Sequence, residues 1–182
     1  AVLGYGSWAT AIVKTLTVNH HHVDWLVLND DIRESLNTRS RNSKYLPWCY
    51  INQEFFTASP DINEVVRDAD IVILAMPSAF MKKFLEPLTE SLKDKIVVSA
   101  VKGIIPGDYL TIVEHMNRYY DVPMDRLAVV TGPSHAEEVG QCQLSYLTVA
   151  SENIDTAEQV RQVLANEFFR CSLSTDVLGV EA

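Results

Sequence analysis

Val2-Leu3-Gly4-Tyr5-Gly6-Ser7-Trp8-Ala9-Thr10-Ala11 stands at the head of the chain, and its reading decides the fold. A short apolar run enters a G-x-G-x-x-A turn made by Gly4, Gly6 and Ala9. Beyond the turn, Ala11, Ile12 and Leu16 keep helical periodicity. A second apolar run, 23–28, ends in Asn29-Asp30-Asp31. That end lies about twenty positions past the turn, the spacing of a βαβ dinucleotide-binding unit. Each residue type has a physical task there. Gly4 permits the tight turn out of the strand, and Gly6 removes a side chain so that backbone can approach a pyrophosphate. The small Ala9 lets the helix pack close to the strand. The helix N-terminus offers unpaired N–H groups and a positive dipole end.

Working outward, apolar runs recur at 71–76, 96–100, 127–131, 146–150 and 169–173. Segments with helical patterning at 61–69, 77–92, 108–119 and 155–164 separate them. The first of these helices is expected to start at Ser59-Pro60, a cap followed by proline in the first turn. The second is expected to carry Phe80, Phe84, Leu85 and Leu88 on one face. Runs such as Ile71-Val72-Ile73-Leu74 are apolar without alternation, as parallel strands covered on both faces require. The whole pattern predicts an α/β fold, a Rossmann-type doubly wound, mostly parallel sheet, with residues 1–182 forming one dinucleotide-binding domain. The stretch 40–56 falls outside the alternation and reads as a functional loop or a packed excursion.

Composition narrows the partners. The chain has 182 residues, 47% apolar and 21% charged, with a net charge of −9. No basic cluster offsets that charge, which argues against binding a nucleic-acid backbone. No apolar run approaches the length of a membrane span. Cys49, Cys142 and Cys171 are odd in number and widely spaced, and they read as free thiols of a reducing, cytoplasmic compartment. His20-His21-His22 cannot present three ligands to one side of a helix or strand, so no metal site is expected. The first strand begins only three residues before Gly4, and the chain stops at Gly179-Val180-Glu181-Ala182. A domain truncated at both ends is the expectation.

In an open α/β sheet the ligand lies beyond the carboxyl ends of the strands. The residues just after each apolar run are therefore Met76-Pro77-Ser78, Lys102-Gly103 and Thr131-Gly132-Pro133-Ser134-His135-Ala136-Glu137-Glu138. With the glycine turn, these loops are expected to converge on one crevice. Lys102 either delivers a positive charge to a carbonyl or phosphate oxygen or marks a solvated strand end. Gly132-Pro133-Ser134 lines the crevice or is a plain helix start with Ser134 as N-cap. Trp8 covers a cofactor or packs beneath the turn. His135 beside Glu137 and Glu138 is a base-and-carboxylate set or an ordinary helix surface.

Taken together these blocks resemble NAD(P)-dependent glycerol-3-phosphate dehydrogenases. Gly4-Tyr5-Gly6-Ser7-Trp8-Ala9-Thr10-Ala11 is similar to the family opening G-x-G-S-W-G-T-A. Asn42-Ser43-Lys44-Tyr45-Leu46-Pro47 is similar to N-P-K-Y-L-P, Met76-Pro77-Ser78 to V-P-S, and Lys102-Gly103-Ile104 to K-G-I. The block from Gly132 to Val139 and the closing Phe169-Arg170, Asp176-Val177 and Gly179-Val180-Glu181 also fit. The resemblance implies reduction of dihydroxyacetone phosphate to sn-glycerol 3-phosphate by NADH or NADPH, or the reverse. It implies that Gly4, Gly6, Ser7, Trp8, Ala9, Pro77, Lys102 and Ala136 bind the cofactor. Lys102, Gly132 and Ser134 would bind the phosphorylated substrate, with Lys102 the catalytic residue of this segment. It also implies a homodimer for the complete enzyme.

Two departures matter. The family's general acid/base lysine lies in a G-G-A-x-K-N block beyond Ala182, and a helical substrate domain follows it, so this chain is expected to bind a dinucleotide and turn over little or no substrate. Leu28 stands where relatives often place Arg or His near the adenosine ribose. With no cation there and Asn29, Asp30 and Asp31 following, a 2′-phosphate is poorly received, and NAD is expected over NADP. A related reductase of the ketopantoate or 6-phosphogluconate type, or a non-catalytic nucleotide-sensing domain, would share the same glycine turn.

Overall fold

A computed structural model describes residues 1–181. Eight strands form one sheet in the order β3-β2-β1-β4-β5-β6-β7-β8. They are β1 (Val2–Leu3), β2 (Val23–Leu26), β3 (Phe56–Ser59), β4 (Ile71–Leu74), β5 (Ile96–Ser99), β6 (Leu127–Thr131), β7 (Ser145–Ala150) and β8 (Phe169–Ser174). Strands β1 to β6 run parallel. Strand β7 pairs antiparallel with β6, and β8 runs parallel to β7. The helices are α1 (Ser7–Val18), α2 (Asp30–Arg39), α3 (Ile62–Arg67), α4 (Met81–Leu85), α5 (Ile112–Tyr120), α6 (Ala136–Gly140), α7 (Ile154–Leu164) and α8 (Val177–Glu181).

Alternate residues of the strands feed two cores. Trp25, Ile73, Val98, Ala128 and Val130 meet Ala9, Ile12, Leu36 and Val160 of α1, α2 and α7 on one face. Leu26, Val72, Leu74, Val97 and Val129 meet Val65, Met81, Leu85, Val113 and Met116 of α3, α4 and α5 on the other. That double covering is why the strands read as unbroken apolar runs.

Several boundaries differ from expectation, each for a local reason. Helix α3 is capped by Asp61, whose carboxylate accepts from the Asn63 and Glu64 N–H groups; Ser59 instead ends β3. The helix expected over 77–92 is a short 3-10 turn followed by the five residues of α4, and Phe80 is exposed. Helix α5 starts at Ile112 because Thr111 and Glu114 form a capping box. Ahead of it, Gly107 and Tyr109 hold left-handed conformations that no α-helix continues through.

The sheet order places a topological switch at β1. The chain runs outward through β2 and β3, then returns to lay β4 on the other side of β1. Loops leaving the carboxyl ends of β1 and β4 therefore part in opposite directions and leave a crevice between them.

Candidate functional site: a cleft at the switch point

Gly4 stands where the end of β1 meets the end of β4. Its φ is +125°, and a Cβ built on it would lie 2.3 Å from the Ala75 carbonyl oxygen at the end of β4. Only glycine satisfies both demands. The chain then turns into α1, whose first helical bond runs from the Thr10 N–H to the Gly6 carbonyl, 2.9 Å. No side chain caps α1, and its first turn holds no acidic residue. The N–H groups at its start thus keep their positive field for a ligand. Gly6 has nothing within 4 Å of the place a Cβ would occupy. Its conformation suits any residue, so what glycine supplies there is open space in front of the helix end. Behind the turn Ala9 is wholly buried, and the Trp25 indole donates to the Gly4 carbonyl at 2.6 Å.

A cleft of about 380 Å³ opens from this turn. Gly6, Ser7 and Trp8 form one wall, Met76 and Pro77 the floor beyond β4, and Lys102 the rim beyond β5. Gly132, Ser134, His135 and Ala136 close it beyond β6. The four loops picked out in the sequence are brought together. Trp8 lines the cleft and also packs against the core. Gly132 has a packing reason as well: a Cβ there would stand 2.8 Å from the Tyr146 carbonyl oxygen on β7.

Ser134 is not an N-cap. That position belongs to His135, whose N–H donates to the Glu138 carboxylate at 3.3 Å. The Ser134 hydroxyl reaches the Tyr146 carbonyl at 3.4 Å, and the half-buried residue lines the cleft. Lys102 is exposed, and no carboxylate pairs with it among the described residues. Its neighbouring segment is held differently. Asp108 accepts an ion pair from Lys82 at 3.0 Å and lies 3.5 Å from Nδ1 of His115. Burial lowers the pKa of His115, against the pull of Asp108, and the Lys82 bond lowers that of Asp108.

The end of β2 holds a residue the sequence reading passed over. The Arg33 guanidinium donates to the Val27 carbonyl at 2.9 Å and pairs with Asp30. A cation therefore does stand beside Leu28, supplied by the next helix, with its charge met by Asp30. Helical spacing from Asn29, the N-cap of α2, was the signal that could have found it. The histidines disperse: His20 stacks on Phe55, and His22 meets Thr57 at 3.1 Å. Among the described residues no cluster of three or more His, Cys, Asp or Glu side chains could hold a metal ion. No helix among them is long and apolar enough to cross a membrane.

A doubly wound sheet whose switch-point cleft faces an unblocked helix end defines a dinucleotide-binding class of domain. Residues 1–157 match the family described as NAD-dependent glycerol-3-phosphate dehydrogenase N-terminus, and the chain belongs to that family. It is 34% identical over 183 residues to a glycerol-3-phosphate dehydrogenase [NAD(P)+] of Halalkalibacterium halodurans, covering 100% of this chain and 52% of that protein. It is 32% identical to the enzyme of that name from Enterococcus faecalis, covering 100% of this chain and 54% of the relative. The chain thus spans about half the length of the curated relatives it matches. Among solved structures, the glycerol-3-phosphate dehydrogenase of Coxiella burnetii superposes with a TM-score of 0.87 at 24% identity, over 99% of this chain and 55% of that one. The Plasmodium falciparum glycerol-3-phosphate dehydrogenase gives 0.91 at 20% identity, over 99% and 53%. Those two likenesses speak to the fold.

Proposed function

We propose that this chain is the cofactor half of an enzyme that interconverts dihydroxyacetone phosphate and sn-glycerol 3-phosphate. The observation that carries the reading is the uncapped start of α1 opening, across one cleft, toward the unpaired cation of Lys102. The space in front of Gly6 and the N–H groups of Ser7 and Trp8 suit a pyrophosphate. When bound, NADH supplies the reducing equivalent that the substrate carbonyl carbon accepts. Lys102 then faces the charge that builds on the carbonyl oxygen, and Ser134 offers a hydroxyl donor beside it. Trp8 and Met76, both lining the cleft, keep water from its inner part.

NADH is the preferred cofactor in this reading. Arg33 is already paired with Asp30, and Asp31 adds a second negative charge to the first turn of α2. A 2′-phosphate would have to displace a carboxylate to reach the guanidinium. The complete enzyme acts as a homodimer on its phosphorylated substrate in the cytoplasm, and this chain alone turns over little of it.

Titrating the chain with NADH and NADPH, followed by nicotinamide fluorescence with and without dihydroxyacetone phosphate, tests the proposal. Saturable NADH binding, tighter than NADPH, is expected. Absence of binding by either dinucleotide would overturn the reading, and tighter NADPH binding would overturn the role given to Asp30.

A further inference from the structure

The loop that follows α2 is wedged between two walls of the cleft. On one side Leu46 and Trp48 lie against Gly140 of α6, and the Cys49 thiol reaches the Gly140 carbonyl at 3.6 Å. On the other side the loop bonds the glycine turn through the side chain of Asn42, which is wholly buried. An asparagine amide has two N–H donors and two acceptor sites on its oxygen. All four are used. Nδ2 donates to the Tyr5 carbonyl at 2.9 Å and to the Thr10 hydroxyl at 3.0 Å. Oδ1 accepts from the Lys44 N–H at 3.0 Å and the Tyr45 N–H at 2.9 Å. The opposite orientation of the amide would face donors with donors and an oxygen with a carbonyl, so the assignment is forced.

The consequence falls on the turn. Thr10, held by Asn42, donates its own hydroxyl to the Gly6 carbonyl at 2.8 Å. The Tyr5 carbonyl is thus tied to the loop directly, and the Gly6 carbonyl, which already accepts the Thr10 N–H, is tied a second time through the Thr10 hydroxyl that Asn42 holds. Peptide planes are rigid, so fixing the carbonyls fixes the direction of the N–H groups that follow them.

From this geometry we infer that Asn42, acting through Tyr5 and Thr10, is the positioning residue that presents the turn's N–H groups to a pyrophosphate. The inference deepens the proposed function and rests on its dinucleotide reading. It assigns Asn42 no contact with the cofactor. A residue that merely held the loop in place would weaken every ligand of the cleft alike, or none; a residue that sets the turn weakens those carrying a pyrophosphate.

The experiment compares the wild-type chain with Asn42→Asp, Thr10→Val and Thr10→Ser. Asn42→Asp keeps the shape but sets an oxygen against the Tyr5 carbonyl. Thr10→Val breaks the relay to Gly6 while leaving the bonds of Asn42 to Tyr5, Lys44 and Tyr45 in place, so it serves where the buried acid fails to fold. Thr10→Ser restores the hydroxyl. Binding of NADH, of ADP and of adenosine is measured for each, and amide exchange across the turn is followed in the ligand-free chain. The expected result for Thr10→Val is a roughly tenfold loss for NADH and ADP, the scale of one hydrogen bond to a charged group. Adenosine binding stays unchanged, Thr10→Ser recovers the loss, and exchange quickens at Gly6 to Ala9 in Thr10→Val. Equal losses for ADP and adenosine, or unaltered binding with unaltered exchange, would overturn the inference. The wild-type NADH titration judges the dinucleotide reading separately, and the exchange measurement judges Asn42 and Thr10 even where that reading fails.

Discussion

Gly4 and Ala75 meet backbone to backbone, so closely that a Cβ on Gly4 would stand 2.3 Å from the Ala75 carbonyl oxygen. That contact joins the end of β1 to the end of β4 at the switch point. Gly4→Ala must relieve a clash with backbone and hold alanine at a φ of +125°, at a cost of more than about 3 kcal/mol. Urea unfolding will show this as a large fall in the midpoint. Gly6→Ala meets no protein atom, so its stability stays within about 0.5 kcal/mol of wild type. NADH affinity nevertheless falls by about tenfold or more, because the added methyl occupies the ligand's space. Equal destabilisation by the two substitutions would contradict the division of labour assigned to these glycines.

Trp25 is buried in β2 and donates its indole N–H to the Gly4 carbonyl. Trp25→Phe keeps most of the apolar bulk and strands that carbonyl without a partner. The expected loss is about 1–3 kcal/mol, most of it from the unsatisfied group. Thermal unfolding of the variant beside Phe56→Leu separates this cost from the edge-on packing of Trp25 against Phe56.

Lys102 is exposed on the cleft rim, so Lys102→Met changes stability by no more than about 0.5 kcal/mol. Under the proposed function, NADH binding alone persists in this variant. Any change that dihydroxyacetone phosphate makes to the nicotinamide signal in wild type disappears. A retained substrate response would remove Lys102 from the substrate side of the cleft.

His115 lies buried between Tyr119, with ring centroids 4.9 Å apart, and Tyr120, at 5.9 Å. It faces Asp108 and, through it, Lys82. Burial lowers its pKa, so the folded chain resists a proton that the unfolded chain takes up near the ordinary value of 6.5. Stability from this site is present above that pH and declines as pH falls below it. Asp108 adds a second loss at lower pH, because its pKa is depressed and its pairing with Lys82 ends on protonation. Unfolding midpoints measured from pH 7.5 to 5 should drift downward in wild type and stay flatter in His115→Phe. Identical slopes would show that another group governs this range.

Much of this arrangement was legible in one dimension. The G-x-G-x-x-A turn, the unbroken apolar strands and the residues just past them depend on local chemistry: turn geometry, a helix end and burial on both faces of a sheet. They point to Lys102, Gly132, Ser134 and Ala136, which line one cleft with Gly6, Ser7 and Trp8 of the turn. Helix α2 and strand β3 leave little pattern in the sequence, because only Ile32 and Leu36 of α2 are buried and β3 is an edge strand of four residues, two of them buried. Helix α3 was placed, but with the wrong cap, because Ser59 and Asp61 are equally good capping residues. Pairing with β2 decided between them by claiming Ser59 for the ladder.

What the chain determined by itself was the order of its elements and the chemical character of each loop, since both follow from residue type and spacing. The tertiary structure alone decided which distant groups share a hydrogen bond. Trp25 supports Gly4 from below, and Asn42 binds Tyr5 and Thr10 across more than thirty residues. Such partnerships carry no periodic signature. They arise because burial forces each polar group to find a partner, and only the folded sheet determines which one lies within reach.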